Sequence, residues 1–494
     1  MNTPVTLLAD FYKLSHREQY PAKTENVYSV LTPRSNERAQ FSQHVVVFGI
    51  QYYIKEYLIR RFNEGFFQKP KRQVIADYQR FVKYSLGLDP VPVAHLEALH
   101  DLGYLPIKIA ALAEGTRAPI RVPVLTIENT HPDFFWLSSY LETTMLNTLW
   151  LPITSATVAD GYRRILENFS LQTTGGVEGV DFQAHDFGMR GMSSEMTSTV
   201  SGAAHLLSFL GSDTIPAGCF HEEYYEADCE KAPIIMSIPA TEHSVMCAYG
   251  EDSEQELFRH LLTDVYPKGF VSVVSDSWDF WRVVGEYLPA LKSVILERDG
   301  RLVIRPDSGV PEDILCGTVQ EFGKGQTPEE KGLIECLWDT FGGQVNDLGY
   351  KVLDPHIGAI YGDSITLERA QLILERLAAK GFASSNVVFG IGSRSYQSMT
   401  RDSFGFALKA TSVVIDGQEK AIFKAPKTDK GGTKKSQKGR VRVYRNDQGQ
   451  LTYEDGHTRE SLAGCDNLLL PVFENGQLLR RTSLEDIRQL LKEK

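Results

Sequence analysis

Six short apolar runs, rich in β-branched residues, each give way to a polar or glycine-bearing turn, and this repeated pattern restricts the chain's fold more than any other feature. Val180-Asp181-Phe182 runs to His185-Asp186-Phe187-Gly188, and Ile234 through Ile238 runs to Glu242-His243. Val271 through Val274 runs to Ser275-Asp276-Ser277, and Leu302-Val303-Ile304 to Arg305-Pro306-Asp307-Ser308-Gly309. Ile357 through Ile360 runs to Gly362-Asp363-Ser364, and Val387-Val388-Phe389 to Gly390-Ile391-Gly392-Ser393. Continuous apolar runs of this length predict strands buried on both faces, hence parallel ones. Helical periodicity lies between them, most clearly over residues 254–263 and 366–380. In the second of these Leu367, Ala370, Leu372, Ile373 and Leu377 form an apolar stripe and Thr366 stands as its cap. Strand, turn and helix repeated around a ring give a barrel whose reactive groups sit at the carboxyl ends of the strands. The polar residues named above all fall there.

The two ends of the chain read differently. Residues 107–128 alternate around Glu114-Gly115-Thr116, Pro119 and Pro123, and residues 440–479 carry turns at Asp447-Gln448-Gly449 and Glu474-Asn475-Gly476. Both predict antiparallel sheet. The expected fold class is α/β: an irregular βα barrel over residues 151–400, with a second, β-rich domain built from residues 1–150 and from the C-terminal segment 401–494, which includes a basic loop at 424–440.

Charge narrows the functional classes. The 494 residues hold 52 Lys and Arg against 63 Asp and Glu, a net charge of −11, which disfavours nucleic acid or an anionic membrane as a partner. No apolar run is long enough to span a bilayer, and residues 1–12 lack the pattern of a secretory leader. Six cysteines without C-x-x-C spacing suit a reducing compartment; the cytoplasm is the expected location. A polyanionic substrate would need a local basic patch, and Lys424, Lys427, Lys430, Lys434, Lys435, Lys438 and Arg440, around Gly431-Gly432, supply one. That stretch is either a loop closing over a pyrophosphate or nucleotide, or a solvated surface loop.

Among the strand-end residues, Arg305 and Asp307 are two apart in extended chain and so share a face. They are either a phosphosugar site, with Arg on phosphate and Asp on hydroxyls or Mg²⁺, or an ion pair closing a loop. Asp276 and Asp363 add carboxylates at equivalent ends, each alone a common helix cap, together a hard-oxygen rim suited to Mg²⁺ or ribose diols. His243 is a base, a metal ligand, a phosphate acceptor or a structural histidine. The Asp186-Phe187-Gly188 triplet of protein kinases is a false lead, because no glycine-rich loop or H-R-D loop precedes it.

As an ordered set, Asp10-Phe11-Tyr12-Lys13, residues 185–191 (HDFGMRG), Ser212-Asp213-Thr214, Glu242-His243-Ser244, Ser275-Asp276-Ser277, residues 305–309 (RPDSG), Gly362-Asp363 and Thr400-Arg401-Asp402 resemble the type II phosphoribosyltransferase family, which holds the nicotinamide and nicotinate enzymes. The resemblance runs from Leu7 nearly to the C-terminus. It implies a homodimer with shared active sites, in which the pyridine ring lies between Phe187 and Tyr12 of a partner chain, with Arg305 also on the ring side. It implies that Asp213 accepts from the carboxamide N–H₂ and repels nicotinate. Arg190, Arg305, Asp307, Gly362, Asp363, Gly392, Ser393 and Arg401 match positions around the phosphoribosyl group, and Lys409, Lys424 and Lys434 match positions on pyrophosphate or ATP phosphates. His243 matches a histidine phosphorylated by ATP, with Asp276 and Glu242 beside it. The implied reaction joins nicotinamide to phosphoribosyl pyrophosphate with Mg²⁺ and coupled ATP hydrolysis, Asp307 and Asp363 being the candidate metal contacts. The alternatives are nicotinate as substrate, or a non-catalytic dimeric binding protein of the same fold. The chain departs from the family pattern at residues 390–394 (GIGSR), where a run of glycines is common, and at Met189, where Tyr is common.

Overall fold

The computed structural model describes residues 3–362, 364–428 and 434–493; Asp363, Lys430 and Gly431-Gly432 lie outside them. The chain divides into two compact units, one of residues 1–157, 220–227 and 399–494, the other of residues 158–219 and 228–398.

The first unit is built on a seven-stranded antiparallel sheet. Its order is Gln418–Ala421, Ala407–Ile415, Thr24–Thr32, Leu125–Asn129, Ile107–Ala111, Leu470–Glu474, Gln477–Leu478. Both chain ends therefore share one sheet, three N-terminal strands flanked on each side by two C-terminal ones, and Thr24–Thr32, near its middle, is buried along almost its whole length. Helices are as prominent as strands here. Lys71–Leu86 buries Val74, Ile75, Tyr78 and Val82, the stripe of a helix laid on a core. A separate hairpin, Arg440–Arg445 with Leu451–His457, carries Arg440 into the unit's interior. There Arg440 is 3% exposed and donates to Glu128, Glu419 and Asn26 while its guanidinium lies over Tyr28. Arg440 is thus a structural cation and drops out of the basic patch expected over 424–440.

The second unit holds five parallel strands in the order Ala184–Asp186, Val387–Ile391, Ile357–Tyr361, Asp299–Arg305, Lys268–Val274. Two of the six expected strands are corrected. Val180–Phe182 forms a 3-10 turn, and the strand begins after it, at Ala184. Residues 234–238 form no strand; Pro233 and Pro239 flank them and cannot donate to a ladder. They contribute one parallel bridge, Met236 to Gly211; Ala240, beyond Pro239, makes another to Ser272, while Ser212 bridges back to Asp186. The ring therefore closes through two staves too short to be strands. Alternation along Asp299–Arg305 sends Arg301, Val303 and Arg305 into the enclosed cavity, while Leu302 and Ile304 are fully buried on the other side. The expected helix over 366–380 is Leu367–Ala379, with Thr366 capping the Arg369 N–H. Among the described residues, no helix is long and apolar enough to cross a membrane.

Candidate active site

The parallel register aligns the strand ends: Val274 pairs with Arg305, Tyr361 with Phe389 and Ile391 with Asp186. Each residue that follows an end is therefore delivered to one rim. Inside that rim is a cavity of about 530 Å³ lined by Phe187, His185, Asp213, Ser237, Arg305 and Ser272, among others.

Asp213 is the polar centre of this pocket. Its Oδ1 accepts from His185 Nε2 at 2.9 Å and from Ser237 Oγ at 2.6 Å. Burial pushes this carboxyl up, but the His185 and Ser237 hydrogen bonds and the Arg305 charge outweigh it and hold the group below the usual aspartate range. Both contacts fall on Oδ1, so Oδ2 remains to accept from a ligand. Asp213 sits where it does because buried Asp186 gathers the loop: it accepts from Gly188 N, Ser212 Oγ and Thr214 Oγ1. The Phe187 ring lies 4.6 Å from that of His185. A Cβ on Gly390 would come within 2.9 Å of Phe187 Cδ2 and 2.8 Å of Gly362 Cα, so only glycine lets the ring and two backbones converge there.

A second cluster occupies the rim beside it. His243 opens the short helix His243–Tyr249. Its Nδ1 meets Ser277 Oγ at 3.0 Å, and its Nε2 is 3.8 Å from Asp276 Oδ1 and 4.0 Å from Asp307 Oδ2. Asp276 Oδ2 accepts from Asp307 N and Ser308 Oγ, whereas buried Asp276 Oδ1 has no hydrogen-bond partner. Arg305 donates to Thr241 O and its buried Nε is likewise unmatched. A Cβ on Gly362 would sit 2.7 Å from Asp307 Oδ1 and 3.8 Å from Arg305 Cδ, so these three do share a face. Glu242 does not join them: its carboxylate takes the Ser244 hydroxyl, a partner two residues along the chain, which turns it to its own helix. Ser393 packs on the Arg190 turn, since a Cβ on Gly191 would strike Ser393 Oγ. Arg190 itself is exposed, and Gly392 has open space around it.

The remaining candidates belong to the first unit. Tyr12 is 60% exposed, Arg401 pairs with Asp402, Lys409 lies 3.6 Å from Glu142, and the Lys424 backbone pairs with Ser436; Lys434 lies in the turn that follows the undescribed residues.

The nicotinate phosphoribosyltransferase family model covers residues 182–466, and the nicotinamide phosphoribosyltransferase N-terminal domain model covers residues 4–82. The chain belongs to the nicotinate phosphoribosyltransferase family. It is 48% identical to the nicotinamide phosphoribosyltransferase of Acinetobacter baylyi, across 98% of this chain and 96% of that one. It is 36% identical to that of Xanthomonas campestris pv. campestris, across 98% and 97%. The same fold is found in nicotinate-nucleotide pyrophosphorylase from Pyrococcus furiosus, with a TM-score of 0.59, 16% identity and coverage of 99% and 95%. Human nicotinic acid phosphoribosyltransferase also shares it, with a TM-score of 0.55, 17% identity and coverage of 98% and 93%.

The family resemblance implies Mg²⁺, and the rim suits it. Among the described residues no three His, Cys, Asp or Glu side chains form a metal-holding group. Mg²⁺ rarely needs one, because it takes one or two carboxylates and completes its shell with water and substrate phosphates. Asp276 Oδ1 is such an oxygen: leaving it unmatched costs ~1–3 kcal/mol. Asp307 stands near it, its own carboxylate also facing His243 Nε2.

Two residues of the pocket were missed at the sequence level. His185 stood in a recognised motif but drew no role, and Ser237 lay in a run read as a strand. A short polar residue interrupting an apolar run, Ser237 in Ile234–Ile238, was the available signal.

Proposed function

We propose that this chain joins nicotinamide to phosphoribosyl pyrophosphate, giving nicotinamide mononucleotide and pyrophosphate, in pyridine nucleotide salvage in the cytoplasm. The observation that carries the reading is the ionised Asp213 beside Phe187. A carboxylate held by His185 and Ser237 accepts from a carboxamide N–H₂ and repels the carboxylate of nicotinate. Phe187 supplies one aromatic face for the flat ring; the exposed Tyr12 of a second copy supplies the other, in a homodimer with shared sites.

The reaction breaks the anomeric C–O bond to pyrophosphate and forms a bond from the ring nitrogen to that carbon. Charge builds on the leaving pyrophosphate and on the sugar as the bond stretches, so the protein must hold the ring in line and meet the anionic oxygens. Phe187 and Asp213 align the ring. Arg190, Arg305, Asp307 and Arg401, with Gly362, Asp363, Gly392 and Ser393, hold the phosphoribosyl group, and Lys409, Lys424 and Lys434 meet phosphates. Mg²⁺, held by Asp307 with Asp276 or Asp363, would neutralise the pyrophosphate as it departs. His243 Nε2 bonds to the terminal phosphorus of ATP as the bond to ADP breaks and ADP leaves, and water later hydrolyses the phosphohistidine to free phosphate. Ser277 holds one ring nitrogen, and Asp276 and Asp307 stabilise the charged imidazole.

The test is a product assay in which nicotinamide and nicotinate compete for phosphoribosyl pyrophosphate with Mg²⁺. Nicotinamide mononucleotide is expected to dominate; no product with or without ATP overturns the reading. Label from γ-phosphate-labelled ATP should enter the wild type and not His243→Ala. Label persisting in that variant places the phosphoryl group elsewhere.

A further inference from the structure

One carboxylate in the first unit stands between two of the residues assigned above to different substrates. Glu142 Oε2 pairs with Lys13 Nζ, whose side chain is 4% exposed, and Glu142 Oε1 lies 3.6 Å from Lys409 Nζ. Lys13 Nζ is also 5.3 Å from the centre of the Tyr12 ring. His16 packs edge-on to Tyr12 at 5.1 Å, and its Nδ1 meets Ser139 Oγ at 2.9 Å, the hydroxyl that Lys13 Nζ also reaches at 3.5 Å. Aromatic ring, histidine, serine, lysine, glutamate and second lysine thus form one unbroken chain of contacts.

We infer that Glu142 is a positioning residue: by bridging Lys13 and Lys409 it sets the stacking ring of Tyr12 and the phosphate-binding ammonium of Lys409 as a single assembly. The inference rests on the functional reading above, in which Tyr12 meets the pyridine ring and Lys409 a phosphate. Burial makes the arrangement necessary. Lys13 is buried and the Lys409 side chain is 38% exposed; two ammonium groups this close repel each other and lose part of their hydration, and a carboxylate between them offsets both costs. Burial pushes Lys409 down, Arg34 and Lys13 push the same way, and Glu142 opposes them. His16 and Tyr20 are the other titratable groups that feel Glu142. Without Glu142, Lys409 loses its proton at lower pH and Lys13 keeps only the Ser139 hydroxyl, at 3.5 Å, as an acceptor.

Glu142→Gln is expected to raise KM for phosphoribosyl pyrophosphate about 10-fold and KM for nicotinamide about 3-fold, both through displaced partners. The alkaline limb of the kcat/KM profile should move to lower pH. Glu142→Asp should recover part of both. On the phosphoribosyl pyrophosphate KM, Glu142→Gln with Lys409→Ala should be no worse than Lys409→Ala alone. Losses that multiply, or a folded Glu142→Gln with both KM values unchanged, overturn the inference. The pH dependence of reductive methylation at Lys409, followed by peptide mass spectrometry, reads the same coupling without turnover. If the wild type makes no mononucleotide the functional reading fails, while an unshifted methylation profile in Glu142→Gln sinks the coupling itself.

Discussion

Arg440 in the first unit and Arg305 in the second are both arginines with buried guanidinium nitrogens, and they are treated in opposite ways. Arg440 is saturated: Glu128 takes two of its N–H groups, Glu419 and Asn26 take others, and Tyr28 lies against its face. Arg305 makes one hydrogen bond to Thr241 O and leaves a buried Nε unmatched at the wall of the cavity. Asp276 repeats the contrast on the acidic side, since its Oδ1 is buried and unmatched next to His243. A protein fills the hydrogen-bonding capacity of a buried charge when that charge holds the fold together. It leaves capacity open where a ligand completes the set. The difference separates architecture from function where charge alone does not, because both residues are arginines with a buried guanidinium nitrogen.

Arg440→Ala should show the larger effect. Glu128 and Glu419 would lose their buried cation and keep the contacts from Arg459 and, for Glu419, Ser412, at a cost of about 3 kcal/mol, read by urea denaturation. This loss should depend on pH. Burial pushes Glu128 and Glu419 up, but contacts from Arg440 and Arg459 outweigh it and hold both below the ordinary glutamate range. A carboxyl lowered on folding stabilises the protein above the pH at which the unfolded group titrates, and the gain disappears as pH falls through the folded value. The stability gap between wild type and Arg440→Ala should therefore narrow below about pH 4.3; a gap that stays constant in acid would mean the pairing contributes little. Arg305→Ala should do the reverse. Its kcat/KM should fall about 10²–10³-fold while its unfolding midpoint stays near that of the wild type. A variant that unfolds instead would place Arg305 with Arg440 as a structural cation.

Gly390→Ala sharpens the comparison within the pocket. The added methyl must displace the Phe187 ring or the Gly362 backbone, an overpacking cost of about 1–3 kcal/mol, so KM for nicotinamide should rise with a smaller change in the midpoint of unfolding. The smallest effect is expected for Asp213→Asn. Removing the charge should shift the nicotinamide-to-nicotinate preference by about 10-fold toward nicotinate, or ~1.4 kcal/mol. An unchanged preference in competition assays would show that His185 and Ser237 already neutralise the carboxylate.

The legible parts of the sequence were those with local causes. Four apolar runs became parallel strands because their residues fit a surface buried on both faces, and Thr366 announced its helix because a cap acts over three residues. The run over 234–238 misled because apolarity alone cannot distinguish a strand from a stave between two prolines that makes single bridges. The basic stretch misled at Arg440 because composition counts a charge without its partners, and Glu128 lies 312 residues away in the chain.

By itself the sequence determined the order of strand, turn and helix, and hence that Phe187, Asp276, Arg305 and Gly362 each stand at or just past the end of a strand and share one rim. Periodicity and turn chemistry are properties of neighbours in the chain, so they survive without a fold. Only the tertiary structure decided which charges are spent and which are kept: that Asp213 is braced by His185 and Ser237, that Glu242 takes the Ser244 hydroxyl, and that Arg440 is consumed by Glu128 and Glu419. Those outcomes depend on distances between residues remote in sequence and on desolvation, which exists only once the chain has closed around them.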